Sequence, residues 1–189
     1  MPQLQIVNNV KQNLTAYYNL LNYVARPDKC RNGCYGMTNV YLNPNCNPET
    51  LVDHQNFALR DFHGKNNRFA LHVIVQFAPS ESKHLDHQKV LDIAYYIAEH
   101  EFPYCICFFG IHDHSCYNGT DQLFLHIDMM VLPFHIITGE GYDCGKPGWF
   151  KIGADVASYL QRYVPKEDIT QPVVYYGRHA QKKDAERIH

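Results

Sequence analysis

Two stretches decide the fold: Tyr104-Cys-Ile-Cys-Phe-Phe-Gly-Ile111 and Leu123-Phe-Leu-His-Ile-Asp-Met-Met-Val-Leu132. Both are apolar runs of strand length, rich in β-branched and aromatic side chains, which is typical of buried strands. Asn118-Gly119, the clearest turn signal in the chain, lies between them. We therefore predict that residues 104–112 and 123–132 pair as an antiparallel hairpin across a loop of about ten residues.

The flanking sequence predicts further elements around this hairpin. Helical periodicity alternates with short β-branched runs, and Gly, Pro and Asn mark the breaks. The predicted elements are a helix at 6–25, a short strand at 37–42, a helix at 48–62, a strand at 69–77, a helix at 84–101, a loop at 139–148 and a helix at 151–163. This order predicts an α+β fold, with a central antiparallel sheet and helices packed on one face. We expect one domain over residues 1–165 and a polar tail over 166–189.

Length and composition describe an ordinary globular domain. The chain has 189 residues and a mass of 22.0 kDa, with 46% hydrophobic and 19% charged residues, which suits one folded domain. Its longest apolar runs fall short of the roughly 20 residues that a membrane span needs. The first residues also lack the pattern of a signal peptide. We therefore expect a protein without membrane contact.

Charge and cysteine usage narrow the partners and the compartment. The net charge of −2 and the pI of about 6.6 give no global attraction to nucleic acid. Such a partner would need a local patch or a metal ion. The seven cysteines are an odd number without paired Cys-x-x-Cys spacing, which argues against a zinc ribbon. We interpret them as mostly reduced thiols of a cytoplasmic protein.

Three polar side chains on the predicted hairpin form the sharpest candidate site. His112 ends the first strand, and His126 and Asp128 lie two residues apart on the second, so those two point to the same face. Two imidazoles and a carboxylate suit a divalent cation with open positions for substrate oxygens. The carboxylate favours a harder ion such as Mg²⁺ or Mn²⁺. The alternative is that these are surface histidines on a solvated sheet face.

Tyr23 is the tyrosine of the first helix whose hydroxyl can face a cleft. At 100° per residue, it lies about 180° from Leu14, opposite the apolar arc of the helix. Tyr17 and Tyr18 lie at the edges of that arc, so we predict that they are packing residues. The alternative for Tyr23 is an exposed tyrosine without a role.

Several short motifs in the expected order resemble the relaxase (mobilisation nuclease) family of His-hydrophobic-His endonucleases. They span residues 6–163, and their co-occurrence is more specific than any one of them. The motifs are Leu21-Asn-Tyr-Val-Ala-Arg-Pro-Asp-Lys-Cys30, Asn45-Cys-Asn-Pro-Glu-Thr50, Leu71-His-Val-Ile-Val-Gln-Phe-Ala-Pro-Ser-Glu81, Gly110-Ile-His112, Leu125-His-Ile-Asp-Met-Met-Val131 and Thr138-Gly139.

The resemblance implies an enzyme that nicks and rejoins one strand of plasmid or transposon DNA at a transfer origin, in the bacterial cytoplasm. In this family a tyrosine hydroxyl attacks a phosphodiester and forms a 5′-phosphotyrosyl intermediate. A histidine-held divalent ion stabilises the charge on the phosphate oxygens. By position, Tyr23 matches the nucleophile, and His112 and His126 match metal-binding histidines. The implied partners are single-stranded DNA and auxiliary mobilisation proteins.

Some positions differ from the family pattern and leave alternatives open. Asp128 stands where the last histidine belongs, Gln76 replaces a serine, and Cys30 replaces a threonine. About nine extra residues lie in the hairpin loop, which we place at 114–122. The alternatives to a relaxase are a degenerate, non-catalytic DNA-binding relative and a rolling-circle replication initiator with the same chemistry.

Other polar residues are candidates for supporting roles. Three residues are candidates for hydrogen bonding to the metal ligands without binding the metal themselves: His72, His114 and Glu81. His72 could also be a fourth ligand or a satisfied core histidine, and Glu81 could instead be a negative charge at a helix N-terminus. The candidates for binding DNA phosphates near the nucleophile are Arg26, Lys29 and Arg31. The alternative for these three is a solvated basic turn.

Overall fold

A computed structural model describes residues 3–7, 14–30, 34–39, 70–113, 125–138, 140–142 and 145–176 of the chain. The strands in these ranges are β1 (Gln3–Val7), β2 (Tyr35–Thr38), β3 (Leu71–Gln76), β4 (Cys107–Asp113), β5 (Leu125–Val131) and β6 (Val173–Tyr176). The helices are α1 (Leu14–Val24), α2 (Pro79–Ser82), α3 (His87–Glu101) and α4 (Gly145–Leu160), and a 3-10 turn covers Lys166–Asp168.

The strands form one six-stranded sheet in the order β2-β4-β5-β3-β1-β6. The predicted hairpin is confirmed, because β4 and β5 pair antiparallel with His112 opposite His126. β6 pairs parallel with β1, while the other neighbouring strands are antiparallel. The predicted α+β class is therefore confirmed, and the sheet is mixed rather than wholly antiparallel.

Helices cover both faces of the sheet. Successive strand residues point to opposite faces, so Ile111 and Ile127 pack in the larger core with α3 and α4, whereas Phe108 and Met130 pack with α1. The prediction of helices on a single face is therefore wrong. The reason is that α1 carries its own buried stripe, which consists of Tyr17, Leu20, Leu21 and Val24.

β1 occupies residues that the helical pattern assigned to the start of the helix at 6–25. Leu4 and Ile6 lie two residues apart and both pack in the larger core, as expected for residues on one face of a strand. The prediction of helix at residues 6 and 7 is therefore wrong, because a short run with a period of two directly precedes a sequence with helical periodicity. The helix itself begins at Leu14.

Most other predicted elements exist with shifted ends. β4 starts at Cys107 rather than at residue 104. α4 begins at Gly145, inside the predicted loop at 139–148. Gly145 has a φ of 59°, and a proline follows in the first turn, where its missing N–H costs the helix nothing. The predicted helix at 48–62 lies outside the described residues.

The chain that follows α4 is tied to α2 and joins the sheet as β6. Glu81 Oε1 accepts hydrogen bonds from the backbone N and from Oγ1 of Thr170, at 3.0 and 2.9 Å. His84 Nε2 lies 2.7 Å from Asp168 Oδ2. Part of the predicted polar tail, residues 173–176, is therefore an edge strand. No helix among the described residues is long and apolar enough to cross a membrane.

The hairpin core should dominate the stability of the sheet. Ile127 is fully buried opposite Ile111, so we expect Ile127→Ala to lower the free energy of unfolding by about 3 kcal/mol through lost contacts and a cavity. Ile137 is 78% exposed, so Ile137→Ala should change it by less than about 0.5 kcal/mol. Urea denaturation of both variants measures the difference, and equal losses would contradict this account of the core.

Candidate active site

The register of three strands brings an aspartate and three histidines together on the face that carries α1. His112 on β4 lies opposite His126 on β5, and Asp128 follows two residues along β5. Asp128 Oδ2 lies 2.7 Å from His112 Nδ1 and 2.8 Å from His126 Nε2. Asp128 Oδ1 lies 2.6 Å from Nε2 of His72 on β3. The structure therefore places His112, His126 and Asp128 in one cluster, with His72 beside them.

This cluster is buried, and burial shapes its electrostatics. Asp128 is fully buried, and His112 is 1% exposed. Burial by itself would raise the pKa of Asp128, but the three imidazoles hold that pKa well below its usual range. Burial would likewise lower the pKa of His112. Asp128, together with Cys30 and the Val24 carbonyl, instead raises the pKa of His112 to about 10.

The geometry of the cluster fits a divalent cation. One ligand atom from each of His112, His126 and Asp128 lies within 4.8 Å of the others. Among the described residues, none gives Asp128 Oδ2 a well-directed hydrogen bond, although two ring nitrogens are close. A buried carboxylate oxygen in that position suits a cation. These two imidazoles and one carboxylate leave coordination positions for other oxygens.

A backbone carbonyl orients one of the candidate ligands. His112 Nε2 lies 3.0 Å from the carbonyl oxygen of Val24 and donates to it. This leaves Nδ1 facing Asp128, as expected when the second ring nitrogen of a metal-binding histidine bonds a carbonyl. Sequence reasoning missed this contact, because a backbone carbonyl at a helix end has no residue-type signal.

Tyr23 lies beside the cluster, near the C-terminal end of α1. The centroid of its ring is 5.5 Å from that of His112 and 5.7 Å from that of His72. Its exposed fraction is 38%, whereas Tyr17 is fully buried and Tyr18 is partly buried against the same core. The packing prediction for Tyr17 and Tyr18 is therefore confirmed. Burial and the Asp128 carboxylate raise the pKa of Tyr23, and Arg26 opposes this effect.

Gly110 permits the close approach of α1 to the sheet at this point. Gly110 lies opposite Asp128 on β5. A Cβ atom at Gly110 would lie 2.3 Å from the Val24 carbonyl oxygen and 2.7 Å from Cys30 Sγ. Those distances are shorter than any stable contact, so the end of α1 can rest here only over a residue without a side chain. A glycine inside an apolar strand is a sequence signal for such an approach.

The supporting candidates have different outcomes. Glu81 is not in the cluster: both of its carboxylate oxygens bond Ala78 or Thr170, near the start of α2. Glu81 therefore does not contact the candidate metal ligands, and its contacts fit the alternative of a negative charge at a helix N-terminus. His114 and Arg31 lie outside the described residues.

The basic residues described in the turn after α1 already have partners within the protein. Arg26 Nη2 forms an ion pair with Asp28 Oδ2 at 2.5 Å on the surface. Lys29 is partly buried, and its carbonyl accepts a hydrogen bond from Asp113. Both side chains of the Arg26–Asp28 pair are exposed, and exposed ion pairs of this kind contribute little to stability.

Comparisons with known proteins add a structural likeness. No protein-family model matches the chain, and no curated protein matches it. Two similar solved structures are Mn-bound crystal structures of the MobM relaxase domain (MOBV; Mob_Pre) bound to plasmid pMV158 oriT DNA, at pH 6.8 and at pH 5.5. In both cases the identity is 13%, the TM-score is 0.49, and the match covers 84% of this chain and 84% of the other.

The raised pKa of His112 predicts a pH-dependent stability in the metal-free protein. An unfolded histidine titrates near 6.5, so the stabilisation is fully present below about pH 6.5 and is lost as the pH rises through about 10. We expect the stability difference between the wild type and His112→Gln to shrink by on the order of 2 kcal/mol over this range. Urea denaturation in EDTA measures it.

The exposed His100 on α3 provides the control for that experiment. His100→Gln removes no contact with Asp128, since the contacts of His100 are with Tyr96 on the same helix, so its stability difference should not show the pH dependence expected for His112→Gln. A His112→Gln difference that stays constant from pH 6.5 to 10 would contradict the ion pair.

Proposed function

We propose that this chain is a metal-dependent enzyme that nicks and rejoins single-stranded DNA in the manner of a relaxase. The observation that carries this proposal is the position of Tyr23, whose ring centroid lies 5.5 Å from that of His112 at the edge of a buried histidine–aspartate cluster. The order of the sequence motifs supports the same class of enzyme. The substrate proposed is single-stranded DNA at a transfer origin.

Tyr23 is the proposed nucleophile. Its phenolic oxygen would attack the scissile phosphorus, so that a tyrosyl O–P bond forms while the P–O3′ bond breaks. The phenol loses its proton, and the departing 3′ oxygen takes one up, so the charge balances. Because the new phosphodiester resembles the one that was broken, the same steps in reverse rejoin the strand.

His112, His126 and Asp128 are the proposed ligands of a divalent ion, Mg²⁺ or Mn²⁺. When bound, such an ion supplies Lewis-acid stabilisation of the charge on the phosphate oxygens. Asp128 offers a carboxylate that stays ionised, because its pKa is held well below the usual range. His72 contacts the other oxygen of Asp128 and thereby fixes the plane of this carboxylate.

The DNA contacts proposed near Tyr23 come from the turn after α1. Arg26 is a candidate because its charge acts on the pKa of Tyr23, and Lys29 follows in the same turn. A local patch of this kind suits a chain whose overall charge is −2, because phosphate contacts position the strand without global attraction. Arg31 is proposed as a further phosphate contact. Auxiliary mobilisation proteins are proposed as partners, and the bacterial cytoplasm as the place of action.

A covalent adduct tests the nucleophile. The wild type with Mn²⁺ should form an SDS-resistant adduct with the 3′-labelled fragment of a randomised single-stranded oligonucleotide pool. Tyr23→Phe should reduce this adduct at least 100-fold, because the attacking oxygen is lost. Gel analysis of labelled protein measures it.

Tyr104→Phe is the matched control, since Tyr104 is 53% exposed and precedes the far end of β4. It should form the adduct at the wild-type level. An adduct that persists in Tyr23→Phe would exclude Tyr23 as the nucleophile. A wild type that binds the pool and Mn²⁺ without forming an adduct would favour the non-catalytic alternative.

Metal binding should release a proton and depend on the cluster. Because the pKa of His112 is about 10 in the metal-free protein, an ion bound at Nδ1 should displace about one proton at pH 7.5. Calorimetry in two buffers with different ionisation enthalpies measures this release. His126→Ala should weaken Mn²⁺ binding by about 100-fold. His135→Ala, which removes a histidine stacked on Tyr104, should leave it unchanged. Equal affinities in these two variants would exclude the cluster as the metal site.

A further inference from the structure

We propose that Cys30 is a positioning residue that fixes the metal-facing orientation of His112 and the end of α1 together. This inference rests on the proposed function, since it concerns how the proposed ligand and nucleophile are held. It is carried by contacts around one carbonyl group, that of Val24.

The Val24 carbonyl oxygen is the common acceptor of two side chains. His112 Nε2 lies 3.0 Å from it, and Cys30 Sγ donates to it at 3.3 Å. The last carbonyls of a helix have no partner within the helix, so these two donors satisfy a group that α1 leaves open. All three residues are buried, so water is a poor substitute for either donor.

Cys30 is itself anchored to the helix end. Its backbone N donates to the Arg26 carbonyl at 2.8 Å, and its Sγ lies where a Cβ atom on Gly110 would intrude. The side chain of Cys30 therefore closes the space over Gly110, with the Val24 carbonyl turned toward the sheet. Removing the thiol leaves both a small void and a carbonyl with one donor fewer.

The consequence reaches the ligand and the nucleophile through the same peptide. With Nε2 of His112 held on the carbonyl, Nδ1 is the nitrogen that faces Asp128. Tyr23 is the residue directly before Val24, so a shift of this carbonyl moves the phenol as well. The structure thus assigns to Cys30 a role that acts through His112 and Tyr23, without contact to the substrate.

The test compares Cys30→Ala with the conservative variant Cys30→Ser, whose hydroxyl can still donate to the Val24 carbonyl. Mn²⁺ affinity is measured from the EPR signal of free Mn²⁺. We expect Cys30→Ala to bind Mn²⁺ about fivefold more weakly than the wild type and Cys30→Ser to remain within about twofold. Cys105→Ala is the control, because this buried cysteine lies before the far end of β4. It should lower stability without changing Mn²⁺ affinity.

A second readout identifies the ligating nitrogen. In the Zn²⁺-loaded wild type, long-range ¹H–¹⁵N NMR should show a protonated Nε2 and a metal-bound Nδ1 in His112, and the same in Cys30→Ser. Cys30→Ala should show a mixture of states.

The outcomes separate this inference from the proposed function. Three outcomes would overturn the role of Cys30 while leaving the metal centre intact. They are an unchanged Mn²⁺ affinity in Cys30→Ala, equal losses of affinity in Cys30→Ala and Cys30→Ser, and metal ligation through Nε2 of His112 in the wild type. A wild type that binds neither Mn²⁺ nor Zn²⁺ would overturn the metal centre itself and this inference with it. The role of Cys30 is supported if Cys30→Ala binds Mn²⁺ about fivefold more weakly than the wild type while Cys30→Ser keeps the wild-type affinity.

Discussion

The buried carboxylate of Asp128 is the constraint on which the site depends. A fully buried anion is expensive unless charged or hydrogen-bonding partners surround it. Here the partners are imidazoles from three neighbouring strands, His72, His112 and His126. Asp128 raises the pKa of His112 to about 10 in the metal-free protein, so His112 can balance the buried carboxylate as a cation, and a bound divalent ion would take over that role.

The same hairpin register serves the core and the site. Ile111 and Ile127 lie opposite each other in the larger core, and the next pair along, His112 and His126, points to the other face. A slip of one residue would exchange these faces and bury the imidazoles among apolar side chains. The apolar packing against α3 and α4 therefore fixes the relative position of the two histidines, and the fold specifies the chemistry directly.

The predictable part of the structure follows from patterns of side-chain type. The long apolar strands at residues 69–77 and 123–132 are identifiable because β-branched runs of that length have few alternatives. The grouping of His112, His126 and Asp128 follows from the predicted pairing of residues 104–112 with residues 123–132. The approach of α1 depends instead on a missing side chain at Gly110 and on the Val24 carbonyl, which every residue possesses. β1 and β6 are too short for propensity to outweigh the helical periodicity and polar composition around them.

The edge of the sheet beside β1 is formed by the C-terminal strand β6, which pairs with β1 in parallel. β1 pairs with β3 on one side and with residues 173–176 on the other. The chain before residues 173–176 is held by the contacts of Thr170 with Glu81 and of Asp168 with His84. Shortening the chain to residue 165 would leave the backbone N–H and C=O groups of β1 open along one side. Such an edge is a template for a strand from another molecule, so the shortened protein would be prone to self-association even with every proposed site residue still present.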